Sequence, residues 1–201
     1  MLAEGFHDVP PGHVAAVVTH LEMTAPPAGH APCAFPPGVT LARQSPVSLP
    51  AYRDVFERVG GLPWLWFSRL VMAEDALAAV LADPAVEVRF VLRDGVPEGL
   101  LELDFRVPGA CELAYFGLTD RLIGQGVGRA LMVAAITRAF AAPISRFHVH
   151  TCTLDSPQAL DFYRCAGFTP IRQQIEIAPD PRRTGALPPD AGPRVPRFFG
   201  S

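Results

Sequence analysis

Leu118-Thr119-Asp120-Arg121-Leu122-Ile123-Gly124-Gln125-Gly126-Val127-Gly128-Arg129-Ala130-Leu131-Met132-Val133-Ala134-Ala135-Ile136 is the stretch that decides the fold. It reads as the end of a strand, a turn with glycines at 124, 126 and 128, and a helix. Leu131, Ala135 and Ala139, with Met132, Ile136 and Phe140, form adjacent i, i+4 rows that would lay the helix on a sheet and so aim its N-terminus. The free N–H groups of a first helical turn, together with the positive end of the helix dipole, attract a phosphate, and glycines allow it close to the backbone. The nucleotide loop G-x-x-x-x-G-K-[ST] is excluded, because Arg129-Ala130 follows the glycines and the chain has no lysine. The dinucleotide fingerprint G-x-G-x-x-G needs glycine at 129 and an acidic residue about twenty positions on, where His148 and His150 stand instead. What remains is G-x-G after an antiparallel strand, read either as a pyrophosphate cradle or as a turn that merely allows tight strand-to-helix packing.

Upstream, Val86 to Leu92 reads as a strand, Asp94-Gly95 as a hairpin turn and Gly99 to Val107 as its partner. Pro108-Gly109 turns the chain into a third strand, Cys111 to Leu118. The length of that turn decides which carboxylates meet. A two-residue loop puts Glu112 on the face opposite Asp104, whereas one more loop residue gathers Glu102, Asp104 and Glu112 on one face. Earlier still, Val14 to Val18 and Val39 to Arg43 read as strands, Leu49 to Gly60 as a helix stopped by Gly60-Gly61, and Glu74 to Leu81 as a second helix. Downstream, Arg146 to Thr153 is a strand, Ser156 an N-cap with Pro157 at the first helical position, Gly167 a stop, and Phe168 to Ile177 a closing strand. A meander followed by interleaved helices and strands predicts a mixed, mostly antiparallel α/β sheet flanked by helices.

The glycine turn, taken with Thr151-Cys152-Thr153-Leu154-Asp155-Ser156-Pro157-Gln158-Ala159-Leu160-Asp161-Phe162-Tyr163-Arg164-Cys165-Ala166-Gly167-Phe168, resembles the GNAT superfamily of N-acetyltransferases. In that family a strand, an R/Q-x-x-G-x-G/A turn, a helix and a strand precede a short helix carrying Tyr before a Gly-Phe pair. The order fits from about residue 39 to 177. The resemblance implies a GNAT-like domain over 39–178, preceded by a strand and Pro-rich extension (1–38) and followed by a Pro/Arg-rich tail (179–201). It implies acetyl-CoA as co-substrate, with the pantetheine arm along the backbone of Phe116, Gly117 and Leu118 like an added strand. Ile123, Gly124, Gln125, Gly126, Val127, Gly128 and Arg129 would hold the pyrophosphate. Ile123 departs from the family's Arg or Gln, and Arg121 or Arg129 would supply the charge instead. Ser156, where the family often has Asn, reads either as N-cap or as a pantetheine contact.

For chemistry, Tyr163 stands where the family's thiolate-protonating tyrosine is found. It also reads as a packing residue of the short helix. Glu112 is the leading base, with Glu102, Asp104 and His150 behind it. His148 and His150 share one strand face, and His148 reads as an ordinary polar residue of a half-buried strand. Trp64, Trp66 and Arg69 fall in the region that lines the acceptor pocket in this family, though an aromatic cluster of this kind is more often core. The implied activity is transfer of an acetyl group to a primary amine by direct attack, without metal. The alternative is a non-catalytic acyl-CoA-binding regulatory module.

Composition narrows the field further. The formal net charge of −3 gives no positive field for nucleic acid or anionic lipid, and 17 arginines with no lysine exclude Schiff-base chemistry. Cys33, Cys111, Cys152 and Cys165 form no C-x-x-C pair, which suits reduced thiols in the cytoplasm. The first residues lack the pattern of a signal peptide, and no apolar run reads as a membrane span. Thr24 to Pro37, with five prolines, and the tail from Pro179, with six, read as extended or mobile. Phe198-Phe199 reads as an exposed aromatic pair or a tail anchor, and a homodimer is left open.

Overall fold

Strand alternation and glycine turns resolve, in the computed structural model, into one seven-stranded sheet; residues 3–29 and 31–198 are described. In chain order come β1 (His13–Met23), β2 (Val39–Gln44), α1 (Leu49–Phe56), one wide π-type turn (Glu57–Gly61), α2 (Leu62–Trp64), α3 (Ser68–Val71) and α4 (Glu74–Ala82). Then follow β3 (Val86–Arg93), β4 (Val96–Asp104), β5 (Ala110–Leu118), α5 (Val127–Phe140), β6 (Arg146–Cys152), α6 (Ala159–Cys165) and β7 (Thr169–Pro179). Strands run in the order β2-β3-β4-β5-β6-β1-β7, antiparallel throughout except for β5 beside β6. Among the described residues no helix is long and apolar enough to cross a membrane.

The Asp94-Gly95 hairpin is a two-residue loop pairing Arg93 with Val96, and both turn residues take positive φ, as its twist demands. Strand β4 is buried on both faces. Leu101 and Leu103 meet Leu131, Ala135 and Ala139 of α5, the row expected from the 3.6-residue period, while Leu100 faces Tyr52, Val55 and Phe56 of α1. Helices α1 and α4 therefore cover one face of the β3–β5 half, and α5 with Tyr163 of α6 packs on the other.

Four expectations are corrected. First, Gly60-Gly61 does not stop the first helix, which widens through Glu57–Gly61 and ends at Leu65 in the left-handed region. Gly60 is required for contact rather than for termination, since a Cβ there would lie 1.9 Å from Cε3 of Trp66. Second, the partner strand of the hairpin is Val96–Asp104, not Gly99 to Val107, because Asp94-Gly95 closes directly onto it. Third, α6 begins at Ala159 with Gln158 at its N-cap position, so Ser156 is not the cap; its hydroxyl bonds the Gln158 side-chain oxygen at 2.7 Å. Fourth, the segment after Pro179 is pinned. The buried Arg182 guanidinium donates to the Asp180 carboxylate at 2.7 and 2.9 Å and to the Val195 carbonyl at 3.0 Å, and Leu187 and Ala191 pack on Leu65. The backbone of Phe198 accepts a bond from Gly12, its side chain is exposed, and Phe199 lies outside the described residues.

The N-terminal strand has a role that local pattern does not reveal. It lies between β6 and β7, antiparallel to both, pairing Val18 with Cys152 on one side and Val17 with Ile175 on the other. Among the described residues β7 pairs with β1 and with no other strand, so the segment preceding the Pro-rich stretch joins the last strand to the sheet. Leu21 is fully buried in the main core, whereas Val17 is 41% exposed. Leu21→Ala is expected to lower unfolding free energy by about 2–4 kcal/mol in urea titrations, and Val17→Ala by less than about 1 kcal/mol; equal small effects would contradict a core role for β1.

Candidate active site

Parallel pairing of β5 with β6 is confined to Ala110–Arg146, Cys111–Phe147 and Glu112–His148. Ala114 then bulges out of the β4–β5 ladder, between the pairs Leu103–Leu113 and Glu102–Tyr115. Such a bulge bends the strand and raises its twist. From Leu113 onward the two strands part, and the β6-facing edge of Tyr115–Leu118 has no strand partner. Unpaired strand edges bind extended chains through main-chain hydrogen bonds.

Three features converge on this gap. Phe116 meets Phe162 of α6 at a centroid distance of 5.5 Å and Tyr163 at 6.3 Å. The glycine turn closes in from the end of β5: Gly124 and Gly126 take φ of 77° and 78°, and nothing lies within 4 Å of where their Cβ atoms would be. Gly126 is the N-cap of α5, leaving the N–H groups of Val127, Gly128 and Arg129 at an open first turn. Gly128 is close to both neighbours, since a Cβ on it would sit 3.8 Å from Leu118 and 3.9 Å from Phe162. Finally, Trp66 spans the gap on the α1 side. Its ring lies 5.5 Å from that of Tyr115 on β5, and its Nε1–H donates to Asp155 Oδ1, just past β6, at 2.8 Å. Gly117 lets this layer settle, as a Cβ there would meet Val59 at 2.5 Å and Trp66 at 3.1 Å.

Charges around the turn are unevenly committed. Arg121 donates to the buried Glu98 at 2.7 Å, whereas Arg129 has no ion-pair partner among the described residues. Gln125 clasps the turn, donating to the Arg121 carbonyl at 2.6 Å and accepting from Arg93. Ile123 is 59% exposed at the entrance.

The register places Asp104 opposite Glu112, so Glu102, Asp104 and Glu112 share a face, the longer-loop arrangement. Their surroundings separate them. Glu102 is fully buried and accepts bonds from Tyr52 and Arg69. Burial works against the Arg69 charge, but Glu102 beside it drives its pKa well up. Arg69 also lies over the Tyr115 ring, 5.2 Å from its centroid, so it faces the interior rather than the gap. Burial would raise the Asp104 carboxyl, yet Arg106 holds it below its ordinary value. Glu112 stands at the apex of the splay, 3.5 Å from Nδ1 of His150. The bond to His150 is the main reason its pKa is lowered, and the same bond raises that of His150. Burial lowers the pKa of His148.

Tyr163 is buried, and its hydroxyl has no hydrogen-bond partner among the described residues. Burial, and next the negative charge of Asp155, raise its pKa, so it is a protonated phenol at neutral pH. Asp155 was not legible as a site residue. Besides Trp66 it accepts from the Thr151 hydroxyl at 2.7 Å and the Cys152 N–H at 2.8 Å, and its only sequence signal is an acidic residue closing a strand before Ser-Pro. The three acceptor-side candidates do not come together: Trp66 spans the gap on the α1 side, Arg69 lies buried beneath, and Trp64 lines a cavity with Ser156 and Asp155.

The sheet is thus opened between two parallel neighbours, with a glycine-capped helix at the edge of the gap and a tyrosine beside it. The acetyltransferase (GNAT) family model matches residues 53–168, more than half of the chain, which therefore belongs to that family. A functionally unknown conserved protein from Staphylococcus epidermidis superposes with a TM-score of 0.57 at 14% identity, over 84% of this chain and 63% of its own. A putative GNAT acetyltransferase from Novosphingobium aromaticivorans gives 0.54 at 17%, over 84% and 67%. An aminoglycoside acetyltransferase from an uncultured soil metagenomic sample, solved with trehalose, gives 0.54 at 19%, over 69% and 93%. The chain thus spans 63% of the length of the Staphylococcus protein. No curated protein matches it in sequence.

The Glu112–His150 pair has a pH signature. The lowered Glu112 pKa contributes stability that is lost as pH falls through it, and the raised His150 pKa a contribution lost as pH rises through it, so the pair holds in the window between. In an NMR titration Glu112→Gln is expected to bring the His150 pKa down toward its ordinary value; an unmoved His150 would contradict the pairing.

Proposed function

We propose that the chain transfers an acetyl group from acetyl-CoA to a primary amine by direct attack in a ternary complex. The observation that carries this reading is the confinement of β5–β6 pairing to three positions, with Tyr163 and the glycine turn converging on the gap that follows. Acetyl-CoA would supply the acyl group as a thioester. The open first turn of α5, from Gly124 to Arg129, suits its pyrophosphate, with Arg129 as the free charge in place of the residue the family has at Ile123. The unpaired edge of Phe116, Gly117 and Leu118 suits its pantetheine amides, and the loop holding Ser156 borders the far side.

Each proton has a residue. Glu112, a carboxylate throughout the neutral range, takes the proton released by the amine, directly or through water, while the Glu102 and Asp104 carboxylates are already engaged by Arg69 and Arg106. His150, held toward its protonated form by Glu112, steadies that carboxylate at neutral pH and becomes a second base only as pH rises. As the new C–N bond forms and the C–S bond breaks, Tyr163 gives its phenolic proton to the departing sulfur. Burial, and next Asp155, keep the phenol protonated, so the proton is in place when negative charge develops on the sulfur in the transition state.

Tyr163→Phe is expected to lower kcat about 100-fold, measured by release of the CoA thiol over an amine panel, while calorimetric affinity for acetyl-CoA stays unchanged. Binding with turnover unaltered by this change, or binding with no turnover in the parent protein, would overturn the mechanism.

A further inference from the structure

The tail beyond β7 builds one wall of a cavity of about 450 Å³ next to the splay. Arg182, locked to Asp180 and to the Val195 carbonyl, and the bond from the Gly192 N–H to the Leu62 carbonyl at 2.7 Å, fix the tail where Arg194 and Val195 face the cavity. Thr19, Thr151 and Gln173 stand side by side on β1, β6 and β7 as its floor, and Val17, Trp64 and Leu160 add apolar wall. This volume is of the order of known small-molecule pockets, about 300–1,000 Å³.

Only two charged side chains line it, Asp155 and Arg194. The Asp155 carboxylate is already engaged by Trp66, Thr151 and the Cys152 N–H. Arg194 is exposed at the mouth and has no carboxylate partner among the described residues. The cavity therefore offers one uncommitted cation, neutral hydrogen-bonding groups and apolar surface. The Asp155 carboxylate bonds the Trp66 indole that spans the gap, so the cavity meets the splay at this residue.

We infer that this cavity is the acceptor pocket and that it selects an amine carrying a carboxylate, an amino acid with an apolar side chain, through Arg194. A guanidinium recognises a carboxylate with two parallel bonds, and the walls bury the side chain. The inference rests on the acetyltransferase reading, and its test separates the two.

Initial rates of CoA thiol release would be measured with L-leucine and L-phenylalanine and with 3-methylbutylamine and 2-phenylethylamine, the same amines without the carboxylate. The amino acids are expected to have a kcat/KM about tenfold or more above their partners, and Arg194→Gln to raise their KM about tenfold with the acetyl-CoA KM unchanged. Calorimetric binding of the same four compounds to both proteins reads the pocket without turnover. Amino-acid binding that Arg194→Gln abolishes supports the pocket even if no acetyl transfer occurs, an outcome that would sink only the acetyltransferase reading. Transfer to all four compounds with equal efficiency and no effect of Arg194→Gln, a raised acetyl-CoA KM in that variant, or no binding of either amino acid would overturn the inference.

Discussion

Three register pairs tie β5 to β6, and the parting of the strands after Glu112–His148 governs everything near the site. Exposed backbone donors and acceptors carry a cost unless water or another chain satisfies them. Here the opening is held from several sides: the Ala114 bulge turns β5 away, the Trp66 indole bridges from Tyr115 to Asp155, and Phe116, Phe162 and Tyr163 pack its other wall. The gap is a built feature of the sheet rather than a frayed end. The same geometry gives Glu112 its position, since it is the last residue of β5 with a partner on β6.

Sheet completion on the far side of β6 comes from both ends of the chain. Strand β1 supplies the neighbour that β6 and β7 share, and the tail is held by a buried ion pair between Asp180 and Arg182. A charge pair this deep is costly to break, because removing one member leaves the other buried and unpaired. That rigidity holds Arg194 and Val195 in place at the wall of the cavity. Trp64 and Thr19, distant in sequence, become walls of one cavity by the same closure.

The legible parts of the sequence were those with local causes. Glycine turns at 95, 124 and 126 take the positive φ that glycine allows, and the buried rows of α5 follow from its period, so the strand-turn-helix unit could be read directly, whereas Tyr163 was singled out by the family resemblance. Register could not, because the carboxylate arrangement depends on how the turn at Pro108-Gly109 closes and on a bulge at Ala114 that no residue type announces. Prolines in the tail suggested mobility while Arg182, the residue that fixes it, has a partner only two positions away that gains its strength from burial. The destination of β1 and the bridge from Trp66 to Asp155 are long-range pairings with no local signal. Trp64, Trp66 and Arg69, neighbours in sequence, diverge in space because the chain leaves the helix at Leu65 in a left-handed conformation.

Amide hydrogen exchange followed with and without acetyl-CoA tests the open strand pair most directly. Added protection is expected at Tyr115–Leu118 and at Gly124–Arg129 together, with little change in the outer strands β2 and β7. Binding that leaves both segments unprotected, or protects only residues away from the splay, would contradict the account.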